Sequence, residues 1–165
     1  MSQLNVNLIK SQTGNGGPTL EALTVTQDST LCGVRFIAGQ LCESVNVTAG
    51  TLASASDIDL STGMVHYFTA QESAQVTPNL MVSGKSVNQI MAVGEAISVV
   101  IMLTASATGY PVGLTIDGSP VTLMWGGGLA PTEGGTAPSV DVYTFQVIKT
   151  ADSTYTVLAN SSNFV

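Results

Sequence analysis

Asp141-Val-Tyr-Thr-Phe-Gln-Val-Ile-Lys149, followed by Thr150-Ala-Asp-Ser153 and Thr154-Tyr-Thr-Val-Leu-Ala-Asn160, is the stretch that decides the fold class. Tyr143, Phe145 and Val147 fall on alternate positions of the first run, and Tyr155, Val157 and Ala159 on alternate positions of the second. A period of two is the mark of a strand with one buried face, and the polar Thr150–Ser153 segment between the runs predicts a tight antiparallel hairpin. Upstream, Ile97-Ser-Val-Val-Ile-Met-Leu-Thr104 is almost continuously apolar, which predicts a central strand covered on both faces. Met64–Ala70 predicts a further strand, and Val112–Ile116 with Val121–Trp125 predicts a second hairpin around Asp117-Gly-Ser-Pro120. Ser86-Val-Asn-Gln-Ile-Met91 is the one helical turn, capped by Ser86 and ended by Gly94. Between the two hairpins, Gly126–Pro138 is a long Gly- and Pro-rich loop.

Thr and Val together supply 39 of the 165 residues, and both are stiff side chains that favour the pleated sheet. The expected fold is therefore all-β, an antiparallel β-sandwich of jelly-roll type, preceded by an extended N-terminal arm. Short strands are predicted at Ala22–Thr26, Leu31–Ile37 and Ser44–Thr48, and Gly14-Asn-Gly-Gly-Pro18 marks a turn or linker. The character of the chain changes beyond about Thr51, so the expected division is an attachment and oligomerisation region at 1–55 and a sandwich domain at 56–165.

Composition narrows the function classes. Charged residues make up 9% of the chain, with four Lys+Arg against eleven Asp+Glu, a net charge of −7. Lys10, Arg35, Lys85 and Lys149 cannot neutralise a row of phosphates, which excludes nucleic acid as a partner and docking on anionic lipid as well. Few charges on a chain that is 44% apolar suggest that much of its surface faces other protein. The N-terminus lacks the basic and apolar regions of a signal peptide, and Ala96–Ile116 is broken by Gly109, Pro111 and Gly113, so no membrane insertion is expected. Cys32 and Cys42 fit no zinc or redox spacing and read as buried free thiols among Leu31, Val34 and Leu41, with a hairpin disulfide as the alternative.

No residue set predicts catalysis, a metal or a cofactor. His66 is the single histidine and alternates with Met64 and Phe68, which suits a hydrogen-bonded or interface histidine. Asp57 and Asp59 share a strand face but lack the further oxygen ligands of a calcium loop. Gly126–Gly128 is followed by no Lys-Ser/Thr pair and is no phosphate loop. Trp125 and Tyr110, beside polar loops, suit a sugar face. The alternative reading makes Trp125 part of the core. The candidate ligand or interface residues are thus Trp125, Tyr110 and His66.

Several longer stretches carry a resemblance: Asp59-Leu-Ser-Thr-Gly-Met-Val-His-Tyr-Phe-Thr69, Thr77-Pro-Asn79, Met91-Ala-Val-Gly-Glu95, Leu114-Thr-Ile-Asp-Gly118, Trp125-Gly-Gly-Gly-Leu-Ala-Pro131, Asp141–Phe145 and Ile148–Asn160. Through them the chain from about Ser56 onward resembles a β domain that recurs in virion proteins of marine tailed bacteriophages, cyanophages in particular. The resemblance implies a structural virion component without enzymatic activity, and phage appendages of this kind imply a homotrimer and other virion proteins as partners. Gly14–Pro18 also looks like the start of fibre proteins, where the chain attaches to the particle. The repetitive shaft of longer members is nearly missing, which points to a short fibre, a collar or tail accessory, or capsid decoration. Host-surface glycan or receptor binding by the loops is the alternative.

Overall fold

A computed structural model describes residues 43–137 and 139–165. Contacts within the chain divide it into two units, Met1–Leu41 and Cys42–Val165. The expected strands at 22–26 and 31–37, the Gly14–Pro18 turn and the two cysteines lie outside the described residues.

The described strands are β1 (Val45–Thr48), β2 (Asp57–Asp59), β3 (Val65–Gln71), β4 (Asn79–Met81), β5 (Ala96–Thr104), β6 (Thr115–Ile116), β7 (Ser119–Pro120), β8 (Leu123–Trp125), β9 (Val140–Ala151) and β10 (Thr154–Phe164). One four-residue helix, α1 (Val87–Ile90), stands between β4 and β5. The described residues are strand-rich, as an all-β fold requires, and form two mixed sheets: six strands ordered β1-β3-β5-β9-β10-β8, and four ordered β2-β4-β6-β7. The first six strands enter the two sheets alternately, so the chain winds through both sheets three times. Parallel neighbours need a crossover, and here a strand of the other sheet supplies it in place of a helix. The coils stay in step: Val65 pairs with Val100 and Val76 bridges Pro111, the same offset of 35 residues.

This wiring corrects the antiparallel expectation. Five of the eight strand pairings are parallel (β1–β3, β3–β5, β2–β4, β4–β6 and β8–β10) and three are antiparallel. The hairpin β9–β10 forms as its alternation predicts, turning at Asp152-Ser153. The second hairpin is tighter than expected. β6 returns as β7 through Asp117 (φ 50°) and Gly118 (φ 77°), a two-residue turn that requires both residues in the left-handed region. β8 then leaves for the far edge of the larger sheet, pairing parallel with β10. Residues 45–55, expected in the N-terminal region, join the sheets and their core. Val45 pairs with Val65, and Leu52 is fully buried in the core.

Both sheets feed one hydrophobic cluster: Ile58, Leu80 and Ile116 from the smaller, and Phe68, Ile101, Leu103, Phe145 and Val147 from the larger. Each such side chain contributes about 1.5–3 kcal/mol when fully buried. The corners between coils are polar and fully occupied. Glu72 is buried, and its carboxylate accepts from the backbone N–H groups of Ala53 (2.8 Å), Ser73 (3.0 Å) and Ala74 (3.4 Å), tying the first coil to the second. Gly109 of the third coil lies against the Glu72 carbonyl so closely that no Cβ fits there. Along the smaller sheet the Asn79 amide donates to Asp57 (2.8 Å), and its carbonyl accepts from Thr115 (2.9 Å), linking three successive strands. Ser86 caps the turn as predicted, and Gln89 completes a capping box: Gln89 N–H donates to the Ser86 hydroxyl, and the Ser86 N–H donates to the Gln89 side chain. The helix closes at Met91, however, before Gly94. No helix among the described residues is long and apolar enough to cross a membrane.

Candidate functional site

The structure does not bring the three sequence-predicted residues together. His66 points into the core from β3, and its Nε2 lies 3.0 Å from the Gly63 carbonyl. Burial pushes its imidazole below the ordinary value, outweighing the Gly63 carbonyl and the Asp59 carboxylate, both of which favour the charged form. Tyr110 is buried as well, and its hydroxyl accepts from the Gln75 amide at 2.7 Å. Trp125, at the end of β8, is half-buried and meets Phe145 edge-on, with ring centroids 6.4 Å apart at 67°. It is therefore partly a core residue. Its other side borders an open groove of about 700 Å³, with Met124, Leu158, Thr144, Gln146 and Asn160.

The paired carboxylates of β2 are occupied too. Asp57 accepts from Asn79, and Asp59 accepts from the N–H groups of Ser61 and Ser83, both at 3.0 Å. Burial is the largest single influence on the Asp59 carboxyl and raises it, but the hydrogen bonds from Ser61 and Ser83 together prevail and hold it below its usual value. Two further carboxylates, which sequence patterns did not single out, are structural. Glu72 fixes the coil corner. Asp141 is buried and accepts from Asn163 (2.7 Å), Gly135 N–H (2.8 Å) and the Tyr143 hydroxyl (3.3 Å), pinning the 126–138 loop to the β9–β10 hairpin. Burial, followed by the adjacent Asp141 charge, pushes the Tyr143 phenol well above its usual range. Lys149 is buried at the end of α1 and donates to the carbonyls of Asn88 (2.6 Å) and Met91 (2.8 Å). Among the described residues no three His, Cys, Asp or Glu side chains gather as a metal set.

What the structure does assemble is a surface. Strand register places Val45, Val65, Val100, Thr144 and Asn160 in one row across the larger sheet, and Val47, Tyr67, Met102, Val142 and Ser162 in another. A third row runs Ser98, Gln146, Leu158, Met124. These rows face away from the core, since their neighbours Ile101, Tyr143 and Phe145 are the buried ones. No Asp, Glu, Lys or Arg stands in them, and Val47 (62%), Met124 (58%) and Leu158 (44%) are openly exposed. The described acids lie elsewhere: Asp57, Asp59 and Asp117 on the smaller sheet and its turn, Glu95 and Asp152 in turns, Glu133 in the loop, Glu43 before β1, and Glu72 and Asp141 buried. The sequence carried two traces of this face, the low overall charge and the two-sided apolar run of β5.

Comparison with protein-family models, with curated proteins and with solved structures finds no match to this chain.

Proposed function

We propose that this chain is a non-enzymatic structural component of a tailed-phage virion: a short fibre, a collar or tail accessory, or a capsid decoration protein. The observation that carries an assembly role is the charge-free outer face of the six-stranded sheet, because a monomer surface of that size ordinarily carries interspersed charge. The phage assignment rests on the resemblance of the stretches from Asp59 to Asn160. A non-enzymatic role is favoured by side chains that are already engaged: His66 by the Gly63 carbonyl, Asp57 by Asn79, and Asp59 by Ser61 and Ser83. In this reading the two sheets enclose their common cluster as a sandwich, and copies of the chain join one another and other virion proteins. The jelly-roll wiring is set aside, since a jelly roll is built from antiparallel pairs.

Mass spectrometry and antibody labelling of purified particles test the proposal. The expected result is the chain present in stoichiometric amount at a fixed position on the particle. Recovery only from the soluble fraction of the lysate, with particles free of it, would contradict the assignment.

A second reading, binding of a host-surface glycan, is favoured by one feature. The groove beside Trp125 combines an aromatic ring with the amides of Gln146 and Asn160. Binding on a glycan array that Asn160→Ala removes from a still-folded protein would support it.

A further inference from the structure

We propose that the outer face of the six-stranded sheet docks on the same face of a second copy of this chain. The proposal rests on the assembly reading above and names its partner and its surface.

The first argument is the central strand. β5 carries Ile97, Val99, Ile101 and Leu103 toward the core, and Val100 and Met102 on the opposite side. Strands that are apolar on both sides are those covered on both faces. Among the described residues the core covers only one of them. The missing cover must be another apolar, uncharged surface, and the chain owns one of that kind.

The second argument is electrostatic. At a net charge of −7, two copies repel through any surface that bears carboxylates. The outer rows are the one extended strand surface among the described residues without a charge, so contact there desolvates no ion and opposes no like charges. A charge-free face offers nothing to attract a strongly charged partner. Its polar members are Ser, Thr, Asn, Gln and Tyr67, each of which both donates and accepts, so the face is complementary to itself across a two-fold axis.

The third argument is size. The six strands hold 46 residues in all, and at roughly 3.3 Å along the strand and about 4.8 Å across it for each they give a face of about 700 Å². A stable interface buries about 800 Å² per partner, and sheets stack face to face at about 10 Å. The face is thus nearly sufficient alone, and the exposed Met124 and Leu158 beside the groove extend it at one edge.

The test is the solution mass of the full chain by light scattering, for the wild type and for Met102→Asp and Val47→Asp, with Val112→Asp as control. Val112 is similarly exposed (53%) but lies off the sheet. The expected result is a wild-type mass of twice the 16.9 kDa chain, falling to one chain in both face variants and unchanged in the control, with all thermal transitions retained. Met124→Asp, at the exposed edge, repeats the test should Met102→Asp fail to fold. A monomeric wild type, or any oligomer whose mass the face variants leave unchanged, would overturn the proposal. The latter result would transfer assembly to other parts of the chain. Neither outcome bears on whether the chain is found in particles, so the virion assignment stands or falls separately.

Discussion

The two faces of the six-stranded sheet are built on the same strands and have opposite fates. On the inner face Val99, Ile101, Leu103, Phe145 and Val147 are fully buried, and His66, Asp141 and Tyr143 each have a polar partner there, while the buried Tyr155 hydroxyl has none. On the outer face the side chains are equally free of charge but stand half-buried or exposed. The inner face is apolar because folding requires it. The outer face gains nothing in the isolated chain from lacking charge, since a half-solvated antiparallel strand normally alternates apolar with polar residues. Charge depletion on the side that needs none is what marks that side as a contact surface.

Substitutions on the two faces should therefore separate stability from association. The largest effect is expected inside: Phe145→Ala removes the ring that packs against Trp125 and leaves a cavity, costing about 3–5 kcal/mol in denaturant unfolding. Next comes Asp141→Ala, which strands the Gly135 N–H and the Asn163 amide; a loss of about 1–3 kcal/mol is expected. Hydrogen exchange should speed up in the 126–138 loop before it does in β5.

A smaller effect depends on pH. Burial depresses the His66 value, so the unfolded chain takes up a proton more readily than the folded one. Stability is then full above the ordinary histidine value of 6.5 and declines as pH falls through and below it. Asp59, depressed in its turn, loses its contribution only at lower pH, below its ordinary 3.8. Thermal unfolding between pH 7.5 and 5 should thus show a decline that His66→Gln flattens. A profile identical in that variant would mean that other groups govern the acid limb.

The smallest effect is predicted outside. Val100→Thr keeps the branched shape that suits a strand and should change monomer stability by less than about 0.5 kcal/mol. A loss near that of Phe145→Ala would mean that the outer face is already packed within the single chain, and the contrast between the faces would collapse.

What the sequence disclosed follows the range of the interactions. The β9–β10 hairpin was legible because Tyr143, Phe145, Val147, Val157 and Ala159 alternate on either side of a local turn. The turn at α1 was legible because Ser86 and Gln89 satisfy each other within three residues. The coiled wiring was not. β2, β4 and β6 are two or three residues long, too short for a period, and their pairing is set by distant partners such as Asp57, Asn79 and Thr115. Met64–Ala70 reads as a strand in any sheet, and nothing local says that its neighbours run parallel to it. The place of β1 was not legible for the same reason: Val45–Thr48 is an ordinary short strand until β3 is seen beside it. As for the site, Trp125, Tyr110 and His66 were chosen by chemical type. The surface the structure presents is defined by what its residues lack.

Oxidative footprinting of the methionines tests the central claim most directly, because Met102 and Met124 stand on the outer face while half-buried Met81 lies on the other sheet. If the outer face is a docking surface, Met102 and Met124 will be protected at high protein concentration and become reactive on dilution, with Met81 reacting equally throughout. Equal oxidation of Met102 and Met124 at every concentration, in a folded protein, would contradict the claim.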